Sequence, residues 1–285
     1  AALLLSACGQ KVLEADEPIS CDQCDNWNAP QDPFRIHGNT WYVGTAGLSS
    51  ILIESDAGLI LIDGALPQSA ALIDANIRNL GFDTQDVKAI LVSHVHYDHV
   101  GGVAALQRFS GASVFTSLPG REPLAAGRLS EDDPQYVAGS DQGSFPAVRD
   151  VVAIGDGEVV TIGSVDVKAV YTPGHTPGST SWTWQSCALN TCYDVVYADS
   201  MSAVSTEGFE FTSSGAADEL VASAGKIADL DCDILLSPHP FFFGMQDKLE
   251  RLDQGNPFVN NVGCLLYADS MLEWLEQRLK AERSH

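Results

Sequence analysis

The sequence predicts an α/β fold in which two β-sheets pack face to face, with helices on their outer surfaces. Hydrophobic residues make up 45% of the chain and charged residues only 19%, which is a globular composition. Short apolar runs of strand length are followed by a helical pattern in each half of the sequence. The 285 residues are enough for one large core, so we expect one folded domain rather than two.

The first half of this domain begins near residue 39, where apolar runs replace a polar segment. Strands are predicted at 40–43, 50–53, 59–62 and 87–92, and helices at 67–80 and 100–109. In the first helix Ala70, Ile73 and Ile77 recur at helical spacing, and Gly81 is a stop signal.

The second half follows a segment, 117–150, that is rich in Gly, Pro, Asp and Ser and predicts long loops with at most one short helix. Strands are predicted at 151–154, 158–162, 165–171, 179–184, 194–198 and 233–236, and helices at 216–230 and 264–281. We expect Leu265, Leu272, Leu275 and Leu279 to lie on the inner face of the last helix.

The charge and the cysteine content narrow the classes of function. Acidic residues outnumber basic ones 38 to 15, giving a net charge of −23, which argues against nucleic acid or an anionic membrane surface as a partner. No apolar run approaches the 18 residues that a transmembrane helix needs. Seven cysteines indicate an oxidising compartment.

The N-terminal residues have two interpretations. Residues 1–8 are similar to the end of a bacterial lipoprotein signal, with a lipobox at residues 5–8 and Cys8 as the lipidated residue. The alternative is an apolar tail without function. Residues 9–33 are rich in Asp, Glu, Pro, Asn and Gln, and predict an arm or tether outside the core, so the main domain is expected to span 34–285.

Four side chains that commonly bind metals fall within six residues after the predicted strand 87–92. His94 and His96 project to the same side of an extended chain, and the following turn aims Asp98 and His99 at a second point nearby. Imidazole and carboxylate groups are zinc ligands, and such a cluster without a cation would be unfavourable. The spacing therefore predicts a metal centre.

The motif His-x-His-x-Asp-His is the hallmark of the metallo-β-lactamase superfamily, which the chain resembles from about Thr40 onward. The resemblance implies an αβ/βα four-layer sandwich with two Zn²⁺ at one edge. By position it adds His175 and His239 as ligands. The implied sites are His94, His96 and His175 for one zinc, and Asp98, His99 and His239 for the other.

Asp63 and Trp41 each have two possible roles. Asp63 ends an apolar strand and is either the carboxylate that accepts a hydrogen bond from a ligand histidine or a turn former. Trp41 either lines the apolar wall of the substrate pocket or is an aromatic residue packed in its strand.

The segment 198–203, Ala-Asp-Ser-Met-Ser-Ala, distinguishes members of the superfamily. Thioesterases and lactonases of the superfamily bridge the two metals with an aspartate near this strand, and Asp199 and Ser200 compete for that position. The segment is similar to one in subclass B3 metallo-β-lactamases. That similarity implies that Ser200 and Ser202 bind the substrate carboxylate, and that a water or hydroxide alone bridges the zincs.

Similarity to secreted B3 enzymes also implies cysteine pairs. Cys187 pairs with Cys192 across a hairpin, and Cys232 pairs with Cys264 to join a strand to the last helix. A local bridge between Cys21 and Cys24 is a further hypothesis, because the usual partner of an N-terminal cysteine is replaced here by Ala46.

The expected function is hydrolysis of the amide bond of small-molecule β-lactam antibiotics, which confers resistance. A dizinc-activated hydroxide is the nucleophile, and Asp98 orients it. The alternative enzyme is a glyoxalase-II-like thioesterase or a lactonase in which Asp199 bridges the metals. A zinc-stabilised binding module is disfavoured, because structural zinc sites are closed and rich in cysteine. We expect a monomer in the periplasm, held at the membrane only if Cys8 is lipidated.

Overall fold

The first sheet contains seven strands that follow one another in chain order. In the computed structural model, which describes residues 12–284, they are β1 (Phe34–His37), β2 (Thr40–Tyr42), β3 (Ile51–Ser55), β4 (Gly58–Ile62), β5 (Val87–Leu91), β6 (Ser113–Ser117) and β7 (Val152–Ile154). Strands β1 to β4 pair antiparallel and β4 to β7 pair parallel. The sequence did not predict β1 or β6, because polar residues interrupt the apolar pattern of both.

The second sheet contains five strands in the order β12-β11-β10-β9-β8. They are β8 (Val159–Ile162), β9 (Val165–Tyr171), β10 (Thr180–Ala188), β11 (Thr191–Tyr197) and β12 (Ile234–Leu236). Strands β10 and β11 are longer than predicted, because their antiparallel pairing continues to Cys187 opposite Cys192.

Nine α-helices lie among the described residues. They are α1 (Cys24–Trp27), α2 (Ala70–Asn79), α3 (Tyr97–Val100), α4 (Val103–Ser110), α5 (Leu118–Ala126), α6 (Phe211–Ser214), α7 (Ala216–Ala228), α8 (Met245–Leu249) and α9 (Gly263–Glu282). Helix α5 is the short helix expected in the 117–150 segment. No helix within residues 12–284 is long and apolar enough to cross a membrane.

The predicted helix at 100–109 is divided into α3 and α4 by Gly101 and Gly102. A Cβ atom on Gly102 would collide with the carbonyl oxygen of Gly64, so the glycine permits a close approach of the loop after β4. This approach brings α3, which carries Asp98 and His99, against the end of the first sheet.

Successive side chains of each strand point to opposite faces of the sheet, so the apolar core is divided into two layers. In β4, Ile60 and Ile62 belong to the cluster between the sheets, whereas Leu59 and Leu61 belong to the cluster beneath the helices of the first sheet. All four are buried. The predicted arrangement of two packed sheets with helices outside is therefore confirmed.

Three of the four leucines that we expect on the inner face of α9 face the core: Leu275 is buried, and Leu272 and Leu279 are partly buried against the cluster between the sheets. Leu265 is 47% exposed, so the prediction that it lies on the inner face is wrong, while Leu275 is buried as predicted. The other buried residues of this helix are Gly263, Cys264, Tyr267, Ala268 and Met271, at helical spacing with Leu275. The disulfide bond between Cys232 and Cys264 joins the segment before β12 to this helix.

The N-terminal arm packs against the first sheet instead of lying outside the core. Leu13 and Cys24 are buried within the cluster beneath the helices, which corrects the expectation that the arm contributes no core residue. Ile19 exchanges two backbone hydrogen bonds with the side chain of Gln68, at 3.1 and 3.3 Å. The arm is thereby positioned beside the loops that follow the strands.

Candidate metal centre

Six potential ligands meet where strands of both sheets end. His94 and His96 follow β5, His175 follows β9, and His239 follows β12, while Asp98 and His99 lie on α3. They form two groups of three, His94 with His96 and His175, and Asp98 with His99 and His239. In each group the ligand atoms lie within 4.8 Å of one another. The structure thus assembles both predicted ligand sets.

The geometry of the second group fits a zinc ion. Asp98 Oδ2 lies 3.2 Å from His99 Nε2 and 3.5 Å from His239 Nε2, and ligand atoms around a tetrahedral zinc lie about 3.4 Å apart. Burial alone would raise the pKa of Asp98, but His99 and His239 beside it hold the pKa well below its usual range. Asp98 is therefore an ionised ligand.

Two histidines of the first group, His94 and His175, present neutral rings. Burial lowers the pKa of His175 to about 3 with a contribution from the neighbouring His96, and burial also lowers the pKa of His94. The Nε2 atom of His94 is buried and has no hydrogen-bond partner among the described residues. A metal ion would satisfy this atom, so the residues fit the group that the sequence predicts.

Each histidine of the first group is held by a hydrogen bond through its other nitrogen. His94 Nδ1 lies 2.7 Å from Asp199 Oδ1, His175 Nδ1 lies 2.8 Å from the Ser202 carbonyl oxygen, and His96 Nε2 lies 3.2 Å from both carboxylate oxygens of Asp133. These bonds fix the ring orientations, so the opposite nitrogens are directed to the metal side.

Asp199 contacts a ligand histidine, which is not the arrangement that the bridging alternative requires. Its side chain and that of His94 are fully buried. Burial raises the pKa of Asp199 to about 7. A carboxylate that accepts from Nδ1 lies on the side of the ring opposite to Nε2, where a metal would bind.

Asp63 does not contact a ligand histidine directly. Its carboxylate accepts hydrogen bonds from the backbone N–H of Ser93 at 2.8 Å, the Ser93 hydroxyl at 2.6 Å and the Tyr197 hydroxyl at 2.8 Å. Asp63 thus fixes the residue before His94. The carboxylates that accept hydrogen bonds from ligand histidines, the role predicted for Asp63, are instead those of Asp199 and Asp133. The sequence did not single out Asp133.

The centre opens into a cavity of about 180 Å³ with an aromatic wall. Its apolar lining comprises Trp27, Tyr97, Val204, Phe241, Phe242 and Trp274. Ser202 and Gln135 line the cavity as polar groups, and the Gln135 Nε2 atom lies 3.4 Å from His96 Nδ1. The Ser200 hydroxyl is buried and has no partner among residues 12–284, and Ser200 does not line the cavity.

Trp27, rather than Trp41, forms part of the cavity wall. The Trp27 ring lies 5.6 Å from His239 and 6.4 Å from Tyr97, between ring centroids. Trp41 instead packs against Phe82 and beneath Arg35, so its interpretation as a packed strand aromatic is the correct one. The sequence did not predict Trp27 as a cavity residue, because the arm around it is polar. The one available indication was its position close to two closely spaced cysteines.

The three predicted disulfide bonds are present. They join Cys21 to Cys24, Cys187 to Cys192 and Cys232 to Cys264. The first closes the turn immediately before α1, which carries Trp27. The predicted lipidation site, Cys8, lies outside the described residues.

A sandwich of two sheets with paired histidine-rich metal sites at one edge defines the class of binuclear metallohydrolases. A sequence profile described as the metallo-beta-lactamase superfamily matches residues 44–239, and the chain belongs to that superfamily.

Solved structures of metallo-β-lactamases are similar over nearly the whole chain. Rm3 metallo-beta-lactamase is 45% identical with a TM-score of 0.89, and the match covers 93% of this chain and 100% of that one. MEM-A1, a subclass B3 metallo-beta-lactamase isolated from a soil metagenome library, is 41% identical with a TM-score of 0.87, over 90% and 99% of the two chains.

Curated relatives match more weakly. An N-acyl homoserine lactonase from a Bacillus species is 26% identical over 153 residues, which is 46% of this chain and 55% of the lactonase. The chain spans little more than half the length of the first curated relatives that it matches.

Proposed function

We propose that the protein is a zinc-dependent β-lactamase of the B3 type that hydrolyses the amide bond of β-lactam antibiotics. The observation that carries the proposal is the position of Asp199. It holds His94 at 2.7 Å and is not placed as a bridging ligand, while all six ligands are histidine or aspartate. The similarity to Rm3 and MEM-A1 supports the same conclusion.

The protein residues divide the work of hydrolysis. Two zinc ions, when bound by the two ligand groups, supply Lewis acidity and an activated water at neutral pH. Asp98 orients that water. Ser202, which lines the cavity, binds the substrate carboxylate, and the aromatic wall formed by Trp27 and Phe241 packs against apolar substituents. The sequence also assigns this role to Ser200, whose buried, unpartnered hydroxyl must turn toward the cavity to take part.

A panel of substrates tests this proposal against the lactonase alternative. The zinc-loaded protein is assayed with a carbapenem, a cephalosporin, an acyl-homoserine lactone and a glutathione thioester. We expect hydrolysis of the two β-lactams and its loss with EDTA. Hydrolysis of the lactone or thioester without hydrolysis of either β-lactam would refute the proposal.

The serines require a separate test. The Ser200→Ala/Ser202→Ala double variant should raise KM for carboxylated β-lactams by the equivalent of about 1–3 kcal/mol, because the serine hydroxyl hydrogen bonding to the substrate carboxylate is lost. The Ser205→Ala variant is the control, since the Ser205 hydroxyl bonds elsewhere, to Thr206 and Arg278. An unchanged KM in the double variant would contradict the role of the serines.

We also propose that the protein acts as a monomer in the periplasm, with an outer-membrane lipid anchor at Cys8. The catalytic domain, which the sequence predicts at 34–285, also includes the arm residues that pack into its core and line its cavity. Three disulfide bonds support an oxidising compartment. Cell fractionation with radiolabelled palmitate tests the anchor. Labelling should disappear in the Cys8→Ser variant, and an unlabelled parent protein in the periplasmic fraction would refute the anchor.

A further inference from the structure

A second apolar groove lies beside the metal centre. Its volume is about 430 Å³, and its walls come from the 3₁₀ turn Pro240–Phe243 and from α9. Phe241, Phe242 and Trp274 line both this groove and the cavity of the metal centre. None of the six ligands lines the groove, so it is a separate site that shares a wall with the first.

The groove exposes an unusual amount of apolar surface. Phe241 is 65% exposed, Leu266 is 57% exposed and Trp274 is 37% exposed. Single exposed apolar residues are ordinary, but contiguous large side chains around a concavity mark a binding site.

Lys248 lines the same groove and lacks a counter-ion. Its ammonium lies 5.3 Å from the ring of Phe258 and 5.7 Å from that of Phe243. No carboxylate or hydrogen-bond acceptor within residues 12–284 contacts the ammonium. Lys88, Lys226 and Lys280 each lie within 4 Å of a carboxylate, and Lys168, which also lacks one in the described part of the chain, is exposed, whereas Lys248 is half-buried.

The absence of a carboxylate beside Lys248, among the residues that the structure describes, indicates a binding position for an external anion, because acidic residues are abundant in a chain whose net charge is −23. Burial lowers the pKa of Lys248 to about 8, with a contribution from Arg251. A cation partly removed from water is stabilised by an anion in the same groove. Asn260 and Ser270 also line the groove and can donate further hydrogen bonds.

We propose that this groove binds a carboxylate with an apolar or aromatic body. Lys248 pairs with the carboxylate, and Phe241, Leu266 and Trp274 hold the body. A single ammonium with two neutral donors matches a monoanion. The exposed aromatic surface provides contact area for the rest of the molecule.

Calorimetric titration with 4-phenylbutyrate tests the site. The zinc-loaded full chain is first saturated with acetohydroxamic acid, a zinc ligand that has no carboxylate, so that the metal centre is occupied. We expect one equivalent to bind, and 4-phenylbutyramide, which lacks the charge, to bind about tenfold more weakly or worse. The Lys248→Met variant should lose affinity for the carboxylate by a similar factor and leave the amide unaffected.

The matched control is Lys88→Met, which makes the same change in charge at a lysine paired with Asp86 and should bind like the parent protein. Three results would overturn the proposal. They are equal affinity for amide and carboxylate, unchanged binding in a folded Lys248→Met variant, and binding only in the absence of acetohydroxamic acid.

A second copy of the chain is the competing occupant. A dimer in size-exclusion chromatography that does not bind 4-phenylbutyrate would also overturn the proposal. None of these measurements uses hydrolysis, so the groove and the proposed catalytic function fail separately.

Discussion

The contact between Asp199 and His94 gives a sharp prediction about zinc affinity. The two side chains are fully buried, and Asp199 Oδ1 lies 2.7 Å from His94 Nδ1. A hydrogen bond to a charged group contributes about 1.5–3 kcal/mol, which corresponds to roughly 10–150-fold in affinity. Loss of such an acceptor behind a ligand histidine typically costs metal affinity about 10–100-fold. We therefore expect Asp199→Ala to weaken the zinc site of His94 by about two orders of magnitude at most.

Competitive titration with a chromophoric chelator resolves the two zinc-binding steps. Asp199→Asn keeps an acceptor for the ring N–H and should lose about tenfold, less than Asp199→Ala, because only the charge is removed. The affinity of the site formed by Asp98, His99 and His239 should not change in either variant. Asp156→Asn, at an exposed carboxylate, controls for net charge.

Two outcomes would refute this reasoning. Equal zinc affinities in Asp199→Ala and the parent protein would show that the contact does not support His94. Weakening of both zinc steps together would instead indicate a carboxylate that bridges the metals, as the lactonase alternative requires.

Three further predictions concern Trp27 in the cavity wall, the disulfide bond of Cys232 and the carboxylate of Glu282. Trp27→Ala removes a ring that lies 5.6 Å from His239, so KM for β-lactams with aromatic substituents should rise about fivefold while kcat stays within twofold in steady-state kinetics. Cys232→Ser opens a 32-residue loop and should lower the free energy of unfolding by about 4 kcal/mol in urea titrations. Glu282 accepts hydrogen bonds from Phe211 N–H and the Arg278 side chain, which outweigh burial and lower its pKa from 4.5 to about 2. Glu282→Gln should therefore destabilise the protein by about 1–3 kcal/mol at pH 7, and the difference should shrink as the pH falls from 4.5 to 2.

The sign of the last effect follows from linkage. A carboxyl group whose pKa is lower in the folded state stabilises the fold above its unfolded pKa, and that contribution is lost as the pH falls through the folded pKa. A pH-independent difference between Glu282→Gln and the parent would contradict it. For Trp27→Ala, a fall in kcat with unchanged KM would contradict the prediction that Trp27 contacts the substrate from the cavity wall. For Cys232→Ser, an unchanged midpoint of urea unfolding would contradict the prediction that the disulfide bond stabilises the fold.

The ligand motif was predictable because its geometry is local. Alternation on an extended chain places His94 and His96 together, and one short turn adds Asp98 and His99. His175 and His239 required the family resemblance, since their approach depends on the packing of two sheets. Sequence and structure agree on all six.

The supporting residues were harder to predict because they come from distant segments. Asp133 and Trp27 lie in polar segments without periodicity, and only the tertiary fold brings them to His96 and His239. Asp63 has the residue type of a histidine acceptor, but three donors from Ser93 and Tyr197 occupy its carboxylate. The sequence therefore predicts that a carboxylate supports each ligand histidine, but it does not identify which aspartate does so.

The most direct test of the proposed function is the rate of cephalosporin hydrolysis as zinc is added back to the metal-free protein. The two ligand groups predict that activity rises with added zinc up to two equivalents and disappears in His94→Ala. Undiminished hydrolysis by the metal-free protein, or no β-lactam hydrolysis at two equivalents of zinc, would contradict it.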